Sequence, residues 1–505
     1  MRKISAILAS LVLSLVLGGS PALAQGDTLT VAIVLSIKTL DPQNTTAGVM
    51  YGVAMHVSET LVGVENGKLV PLLAESWKML DDKLTYEFTL KKGVKFHNGD
   101  VMTADDVVYS FQRALSPAGA ATKGQSMYLA EVGKKDDRTI YLKATAPMGQ
   151  AFLGNLTHPW ASIFNKKYTE ALGLDYGQTP MGTGKFTFKN SVPGDRVELE
   201  RFDDYHGEKA KVKNLIFRTI IEPSSRAIEL ESGAIDVATE VAPIDAGRIK
   251  DNAKLEFVEV PSYRLHQMGF DITVPPYDNP KVREAINLAI NRPGIIKAVF
   301  RGFGVPARGV IPDSIEYSRY KDSSDIPYDP AAAKKLLAEA GFPNGFKGAL
   351  MTSERYDYQN VATVVQNNLK AIGIDMQIKI IEAGAYNDFI GKPKHDPFIY
   401  NWGGNVPTSD PFFYMNPLYH SRNIGQANRY YYSNPELDKV LDQGVQAPEG
   451  EERAGYYAQA WDILNRDLPQ ISLLNPINLY AKVKNLKGVE FSPTAINFYG
   501  NAYFE

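Results

Sequence analysis

The stretch that decides the fold is Ala74–Leu115, AESWKMLDDKLTYEFTLKKGVKFHNGDVMTADDVVYSFQRAL. From Leu84 to Lys91 apolar and polar residues alternate, and this period of two predicts a strand with one face in a core. Asn98 and Gly99 predict a tight turn. Thr103 then precedes acidic residues and an apolar stripe, which is typical of a capped helix. The stretch therefore predicts a β-unit followed by a helix that ends at Leu115.

Length and composition set broad limits on the protein. The chain has 505 residues, 44% hydrophobic and 22% charged, which allows about three domain-sized units. A net charge of −3 gives no support for nucleic acid as a partner. Because the chain has no cysteine, disulfides, thiolate metal sites and cysteine catalysis are excluded. The seven histidines show no helical metal-site spacing, and we expect no cofactor and no metal.

Residues 1–24 are typical of a secretory signal peptide. Arg2 and Lys3 supply the positive start, Ile7–Leu17 is the apolar core, and a small-x-small cleavage site ends at Ala24. Cleavage after Ala24 would take the net charge from −3 to about −5, because the segment holds two basic residues and no acid. No cysteine follows the cleavage site, so we expect no lipid anchor. The predicted location is the periplasm.

Several later segments carry local signals of the same kind. Asn279, Asp329 and Asn434 each precede a proline, and this pairing of a cap with a first helical residue predicts a helix start. Val49–Leu61 is predicted to be helical, and Ile374–Ile380 alternates as a strand directly after a helix. Helices interleaved with strands predict a mixed α/β fold.

The string AESW…DD..TY.F.L..GVKFH.G…TADDV.YS resembles the fingerprint of the family 5 extracellular solute-binding proteins. These are the peptide-, opine-, nickel- and oligosaccharide-binding receptors of ABC importers. The turn Asp204–Ala210 and the helical segment Val282–Ile296 are also similar to the family, and the resemblance extends from about Leu29 to about Val489. It implies the two-lobed periplasmic-binding-protein fold of the large three-subdomain type, with lobes joined by crossing strands.

The resemblance also implies a division of the chain into domains. A signal peptide covers 1–24, and lobe II covers 266–479. The core of lobe I combines 25–70, 181–265 and 480–505, and a subdomain inserted into lobe I covers 71–180.

The Gly-rich segment that begins at Trp402 is the most informative candidate for ligand binding. Gly403 lets the backbone approach a ligand closely. Peptide-binding relatives have the pattern W-x-x-D, whose aspartate pairs with the peptide ammonium, but this chain has Asn405 there. An amide brings no charge to such a pair. Asp410 either substitutes for the missing carboxylate or only caps its own Asp-Pro turn.

Two further segments are candidates by the same resemblance. Dipeptide-binding relatives carry an arginine near Arg355 that grips the ligand carboxylate, a task that suits a bidentate guanidinium. A surface salt bridge is the alternative role for Arg355. Thr45 and Thr46 belong to a loop that helps to wall the ligand cleft in the family, and a plain strand-to-helix connection is the alternative there.

The function implied by the resemblance is non-enzymatic. A monomeric receptor captures a di- or oligopeptide-like solute, closes its lobes over it and delivers it to the transmembrane subunits of an ABC permease. An oligosaccharide, an opine-like molecule or another uncharged polar solute is the alternative ligand. A secreted hydrolase with an inter-lobe cleft is the alternative class, although no GxSxG, HExxH or P-loop motif is present. A periplasmic chaperone or signalling receptor would differ by its partner.

Overall fold

The computed structural model describes residues 26–65, 67–404, 406–494 and 496–505, so the predicted signal peptide 1–24 lies outside the described residues. The first part of the chain contains β1 (Thr28–Ile33), α1 (Gly48–Ala54), β2 (Val62–Glu65) and β3 (Lys68–Pro71). The inserted part contains β4 (Ala74–Met79), β5 (Thr85–Leu90), α2 (Ala104–Leu115), α3 (Lys123–Ser126), β6 (Leu129–Lys134), β7 (Thr139–Ala144), α4 (Gln150–Asn155) and α5 (Lys166–Leu172).

The chain then returns to the first part and crosses to the second. The returning elements are β8 (Phe186–Val192), β9 (Arg196–Arg201), β10 (Asn214–Thr219), α6 (Pro223–Ser232), β11 (Val237–Ala238), α7 (Ala246–Lys250) and β12 (Leu255–Pro261). The second part contains β13 (Leu265–Gly269), α8 (Pro280–Ala289), α9 (Arg292–Phe300), β14 (Gly304–Pro306), α10 (Pro330–Glu339), β15 (Lys347–Ser353), α11 (Tyr356–Lys370), β16 (Asp375–Ile381), α12 (Ala383–Ile390), β17 (Phe398–Trp402), α13 (Phe412–Tyr419), α14 (Pro435–Gln446) and α15 (Glu451–Asp467).

The chain ends with β18 (Gln470–Val483), β19 (Leu486–Lys487) and β20 (Tyr503–Phe504). Short 3₁₀ turns cover Pro117–Thr122, Pro159–Ala161, Gly173–Gln178 and Ser421–Asn423. Within the part of the chain that the structure describes, no helix combines the length and the apolar character needed to cross a bilayer.

The stretch that opened the sequence analysis folds as predicted. Strand β5 lies inside the four-stranded antiparallel sheet β4-β5-β7-β6, with Tyr86, Phe88 and Leu90 buried. Helix α2 begins after Thr103, whose backbone N–H and hydroxyl both donate to the Asp106 carboxylate, at 2.9 and 2.8 Å. This separate sheet with its helices falls within 71–180, the range predicted for the inserted subdomain, and it is called the inserted subdomain below.

Strand β18 joins the two lobes of the molecule. Twelve strands of the described residues form one sheet, in which β18 pairs with β13 and β14 along its first half and with β12 and β11 along its second half. Lobe I is built around β1 and β8–β12, and lobe II around β13–β17. The connection from β12 to β13 crosses beside β18. The predicted two-lobed α/β fold with crossing strands is confirmed, and the predicted boundary between 479 and 480 falls inside β18.

The inserted subdomain touches lobe II away from the crossing strands. The ring of Tyr128 meets the ring of Phe412 edge to face, with 5.5 Å between centroids. Helix α4 comes so close that a Cβ added at Gly154 would lie 3.2 Å from the Thr408 side chain. The lobes are therefore closed against each other along this edge.

Local helix signals are confirmed at three starts and wrong at one end. The side chains of Asn279, Asp329 and Asn434 each accept a hydrogen bond from a backbone N–H of the helix they cap. The helix predicted over Val49–Leu61 instead ends at Ala54. The reason is tertiary, because the residues that follow are bound by distant segments. The Glu59 carboxylate, for example, accepts hydrogen bonds from residues of the 181–207 region.

Candidate functional site

The end of β17 is fixed tightly against the start of β13. The half-buried Trp402 lies opposite Leu265, and its indole N–H donates to the carbonyl of Phe413 at 2.8 Å. Gly403 has φ +102°, and a Cβ there would collide with the Tyr263 carbonyl and the Tyr414 hydroxyl. That hydroxyl itself donates to the Tyr263 carbonyl. Only glycine fits this crossing.

Asn405, which stands where peptide-binding relatives have an aspartate, lies outside the described residues. Its role in ligand binding therefore stays a prediction. The residue before it, Gly404, lies beside the side chain of Arg264: a Cβ at Gly404 would be 3.4 Å from its Nε. The geometry therefore brings an arginine from the start of β13 to the Gly-rich segment.

Arg264 was missed by the sequence analysis, because nothing in the local pattern distinguishes it from a surface arginine. Its backbone is held by Ser262 and Asn475. Its guanidinium, half-buried, has no hydrogen bond or ion pair with any of the described residues. A half-buried guanidinium without a protein partner can bind a ligand anion through charge-assisted hydrogen bonds. Arg264 is therefore an uncommitted cation of the cleft, as far as the described residues go.

Arg355 stands at the start of α11, close to the same group. Its Nε and Nη2 donate to both carboxylate oxygens of Asp357, at 3.1 and 2.9 Å, and its side chain is 50% exposed. The guanidinium also covers the ring of Tyr358, whose hydroxyl accepts from the N–H of Asn401 at 3.0 Å. Arg355 is thus tied to the end of β17, and one face of it remains open to the cleft.

The electrostatics of this wall are set mainly by the two arginines. Burial alone would raise the pKa of Asp357, but Arg355 more than reverses this, and Arg264 lowers the pKa of Asp357 further. Behind them, burial lowers the pKa of His266 to about 4, so its imidazole is neutral at neutral pH. The wall of lobe II therefore carries a net positive charge.

Asp410 lies in a different environment. One oxygen accepts from the N–H of Phe412 at 2.9 Å, and the other accepts from the guanidinium of Arg453 at 2.6 Å. The carboxylate is buried, and burial raises the pKa of Asp410 against the opposing effect of Arg453. Both oxygens are engaged within lobe II, which favours the turn-capping role over contact with a ligand.

The loop with Thr45 and Thr46 is held by the inserted subdomain. Asp41 at its start forms a buried ion pair with Arg113 of α2, at 2.6 Å. The Thr45 hydroxyl is buried; it accepts from the N–H of Ala47 at 3.1 Å and donates to Sδ of Met50 in α1 at 3.3 Å. Thr46 is exposed. The structure therefore brings Trp402, Gly403 and Arg355 together, and it engages the hydroxyl of Thr45 within its own loop and α1.

The facing wall in lobe I contains Glu240, a second residue that the sequence analysis missed. Its side chain is exposed, and its charge is among those that act on Arg355, after burial and Asp357. Tyr480 lies between the two walls: burial is the main cause of its raised pKa, which Arg264 lowers and Glu240 raises. A small pocket of lobe I, about 20 Å³ in volume, lies beside Glu240 and Tyr480.

Across residues 26–65, 67–404, 406–494 and 496–505, no group of three or more histidine, aspartate and glutamate side chains could hold a metal ion.

Comparison with known proteins gives the family. The sequence model of the bacterial extracellular solute-binding proteins, family 5 (middle), matches residues 68–426, more than half of the chain. The chain belongs to this family. The predicted resemblance is confirmed, and it extends well beyond the fingerprint stretch.

Among the relatives of this family member is the glutathione-binding protein GsiB of Salmonella choleraesuis, 32% identical over 496 residues, with 96% of each chain covered. The GsiB protein of Salmonella typhi matches with the same identity and coverage.

Two solved structures have the same fold. HbpA2 of Haemophilus parasuis is 26% identical with a TM-score of 0.84, over 95% of this chain and 100% of that one. The periplasmic binding protein DppA of Helicobacter pylori, in complex with the peptide STSA, is 27% identical with a TM-score of 0.82, over 95% and 98%.

Proposed function

We propose that the protein is the periplasmic substrate-binding component of an ABC import system and captures a di- or oligopeptide-like solute between its lobes. The observation that carries this proposal is the guanidinium of Arg264 at the junction of the lobes, which has no partner among the described residues. A free carboxylate at the end of a peptide is the anion that fits it, because a guanidinium recognises carboxylates through two parallel charge-assisted hydrogen bonds.

The second arginine supports the same ligand class. The Arg355 side chain remains half exposed although it is paired with Asp357. It can therefore also bind a ligand carboxylate that lies beside Arg264. The face of Trp402 offers apolar contact at the same level, since its N–H is already satisfied by the protein. A few oriented polar groups beside apolar surface are typical of small-ligand sites. The glutathione-binding relatives and the peptide-bound structure of DppA agree with a peptide-like ligand.

Closure of the lobes around the ligand explains how the ligand is delivered to the permease. A ligand that contacts both walls stabilises the closed arrangement, which is then the form presented to the transmembrane subunits of the permease. We further propose that residues 1–24 direct secretion and are removed, that the mature receptor works as a monomer without a lipid anchor, and that it does not transform its ligand.

The test uses the chain from residue 25 onward. We expect isothermal titration calorimetry to show saturable binding of glutathione or of a free dipeptide, and mass spectrometry of the same mixtures to show no product. C-terminally amidated peptides serve as the matched control, and they should bind much more weakly.

Binding of an oligosaccharide or an opine, with no binding of any peptide, would replace the ligand class. Product formation would refute the receptor role and favour the hydrolase. Recovery of the permease subunits with the tagged protein from membranes would support delivery, whereas binding to unfolded proteins alone would favour a chaperone.

A further inference from the structure

Glu240 is held in an unusual backbone conformation. Its φ of +48° lies in the left-handed region, which residues other than glycine rarely adopt. The buried Arg226 fixes this bend, because its guanidinium donates to the carbonyls of Thr239, Glu240 and Ile220 at 2.8, 2.7 and 2.7 Å. The exposed carboxylate of Glu240 therefore projects from a rigid support at the mouth of the lobe I pocket.

The pocket behind Glu240 is mostly apolar. Ile33, Val49, Val53 and Phe217 supply its apolar walls. Apolar walls of this kind accept a short side chain and exclude a second charged group.

One polar group in the pocket lacks a partner. The hydroxyl of Tyr499, a residue with only 2% of its surface exposed, makes no hydrogen bond with the described residues. Burial raises the pKa of Tyr499, and the neighbouring side chain of Asn497 lowers it. A buried hydroxyl without a full partner is costly, and a hydrogen-bonding group in the pocket would remove that cost.

The ring of Tyr499 is held in place by His56. Its backbone N–H donates to Nε2 of His56 at 2.8 Å, and the two rings stack with centroids 5.7 Å apart. The other ring nitrogen of His56 donates to the carbonyl of Gly52 at 2.8 Å. Burial lowers the pKa of His56 to about 4, so this arrangement of a neutral imidazole persists at neutral pH. The hydroxyl of Tyr499 therefore has a fixed position in the wall of the pocket.

We infer that this pocket of lobe I is the subsite for the amino end of the ligand: Glu240 binds the ammonium group, and the pocket takes a short side chain with a hydroxyl or thiol tip that bonds to Tyr499. This inference rests on the proposed function and deepens it. The ligand then lies with its carboxylate on the arginines of lobe II and its ammonium on lobe I. A ligand bound in this way makes one charged contact with each lobe and so bridges the two walls of the cleft.

The test is competition among defined tripeptides. The probes are Xaa-Ala-Ala peptides with Gly, Ala, Ser, Cys, Leu or Phe first, together with the N-acetylated form of each. Native mass spectrometry measures which ones the mature protein binds. We expect the free-amino Ser and Cys members to be enriched about tenfold or more over their acetylated forms and over the Leu and Phe members.

Two variants and a control locate the effect. Glu240→Gln should remove the preference for free amino groups and leave the side-chain preference, whereas Tyr499→Phe should do the reverse. Glu170→Gln makes the same change of charge on an exposed residue of the inserted subdomain, and it should bind like the wild type. Melting temperatures of all three variants should match the wild type, so that a loss of binding reports the site.

Equal capture of free and acetylated peptides, or a preference for the Leu and Phe members, would overturn the inference and leave the proposed function standing. Preferences that survive both substitutions would overturn it too. Failure to capture any peptide would refute the proposed peptide ligand, and the inference would fall with it.

Discussion

Two of the aspartate–arginine pairs in lobe II have the same chemistry and different surroundings. Asp410 and Arg453 meet at 2.6 Å with side chains 11% and 2% exposed, whereas Asp357 and Arg355 meet at 2.9 Å with side chains 27% and 50% exposed. In the first pair both charges depend on each other, because water cannot replace either partner. In the second pair water and ligands can compete.

The comparison teaches that burial, more than residue type, separates a structural pair from a binding site. Burial raises the pKa of Asp410, while Arg355 overcomes the effect of burial and lowers the pKa of Asp357. Arg264 completes the series as an arginine with no acidic partner among the described residues.

The largest effect is expected from breaking the buried pair. Asp410→Asn leaves Arg453 charged and unpaired in the interior, so it should lower the free energy of unfolding by about 3–5 kcal/mol. The matched change Asp357→Asn should cost only about 0–1 kcal/mol, as is usual for exposed pairs. Urea denaturation followed by circular dichroism measures both. Equal losses would abolish the distinction between the pairs.

The next effect concerns ligand affinity. Arg264→Gln removes the uncommitted cation, and the affinity for a dipeptide with a free carboxylate should fall about tenfold to a hundredfold. Arg355→Gln should cause a smaller loss, because Asp357 already takes part of its charge. Calorimetric titration provides the affinities, and an amidated dipeptide is the control that should bind both variants as it binds the wild type. A larger loss for Arg355→Gln would reverse the assignment.

The exposed pair also rests on a buried histidine, which predicts a pH dependence. The pKa of His266 is about 4 in the folded protein against an ordinary value of 6.5, so the unfolded chain binds its proton first. The stability from His266 is complete above pH 6.5 and is lost as the pH falls toward 4, at up to about 1.4 kcal/mol per pH unit. Unfolding of His266→Gln should show a shallower slope in this window; an unchanged slope would contradict the buried neutral imidazole.

The smallest effect sharpens the role of Asp357. Asp357→Asn frees Arg355 from its partner, so the affinity for peptides with a free carboxylate should rise about threefold, within the usual range for an exposed pair. The increase should be absent in the double variant with Arg355→Gln. A loss of affinity in the single variant would mean that Asp357 orients Arg355 for binding instead of competing for it.

What could be predicted from the sequence was local. Thr103, Asn279 and Asp329 mark helix starts through bonds to residues two or three positions away, and those starts are confirmed. The two roles left open for Asp410 could not be separated, because its partner Arg453 lies 43 residues further on. Arg264 was missed for the same reason.

Glu240 shows a second limit of sequence analysis. Its conformation depends on Arg226, whose guanidinium donates hydrogen bonds to backbone carbonyls of two separate segments of the chain. Likewise the early end of α1 follows from the distant partners of Glu59. Tertiary contacts of this kind leave no periodic pattern, so the walls of the cleft could be seen only in the folded chain.

Strand β18 has a mechanical consequence. Its 14 residues are hydrogen-bonded to β13 at one end and to β12 at the other, and the pairing with β13 shifts register between His266 and Gln267, next to Arg264. A rotation of one lobe must therefore twist a continuous ribbon whose ends are anchored. Any movement of the lobes must therefore be absorbed within β18 and the neighbouring crossing segment, which makes this strand the hinge axis of the molecule.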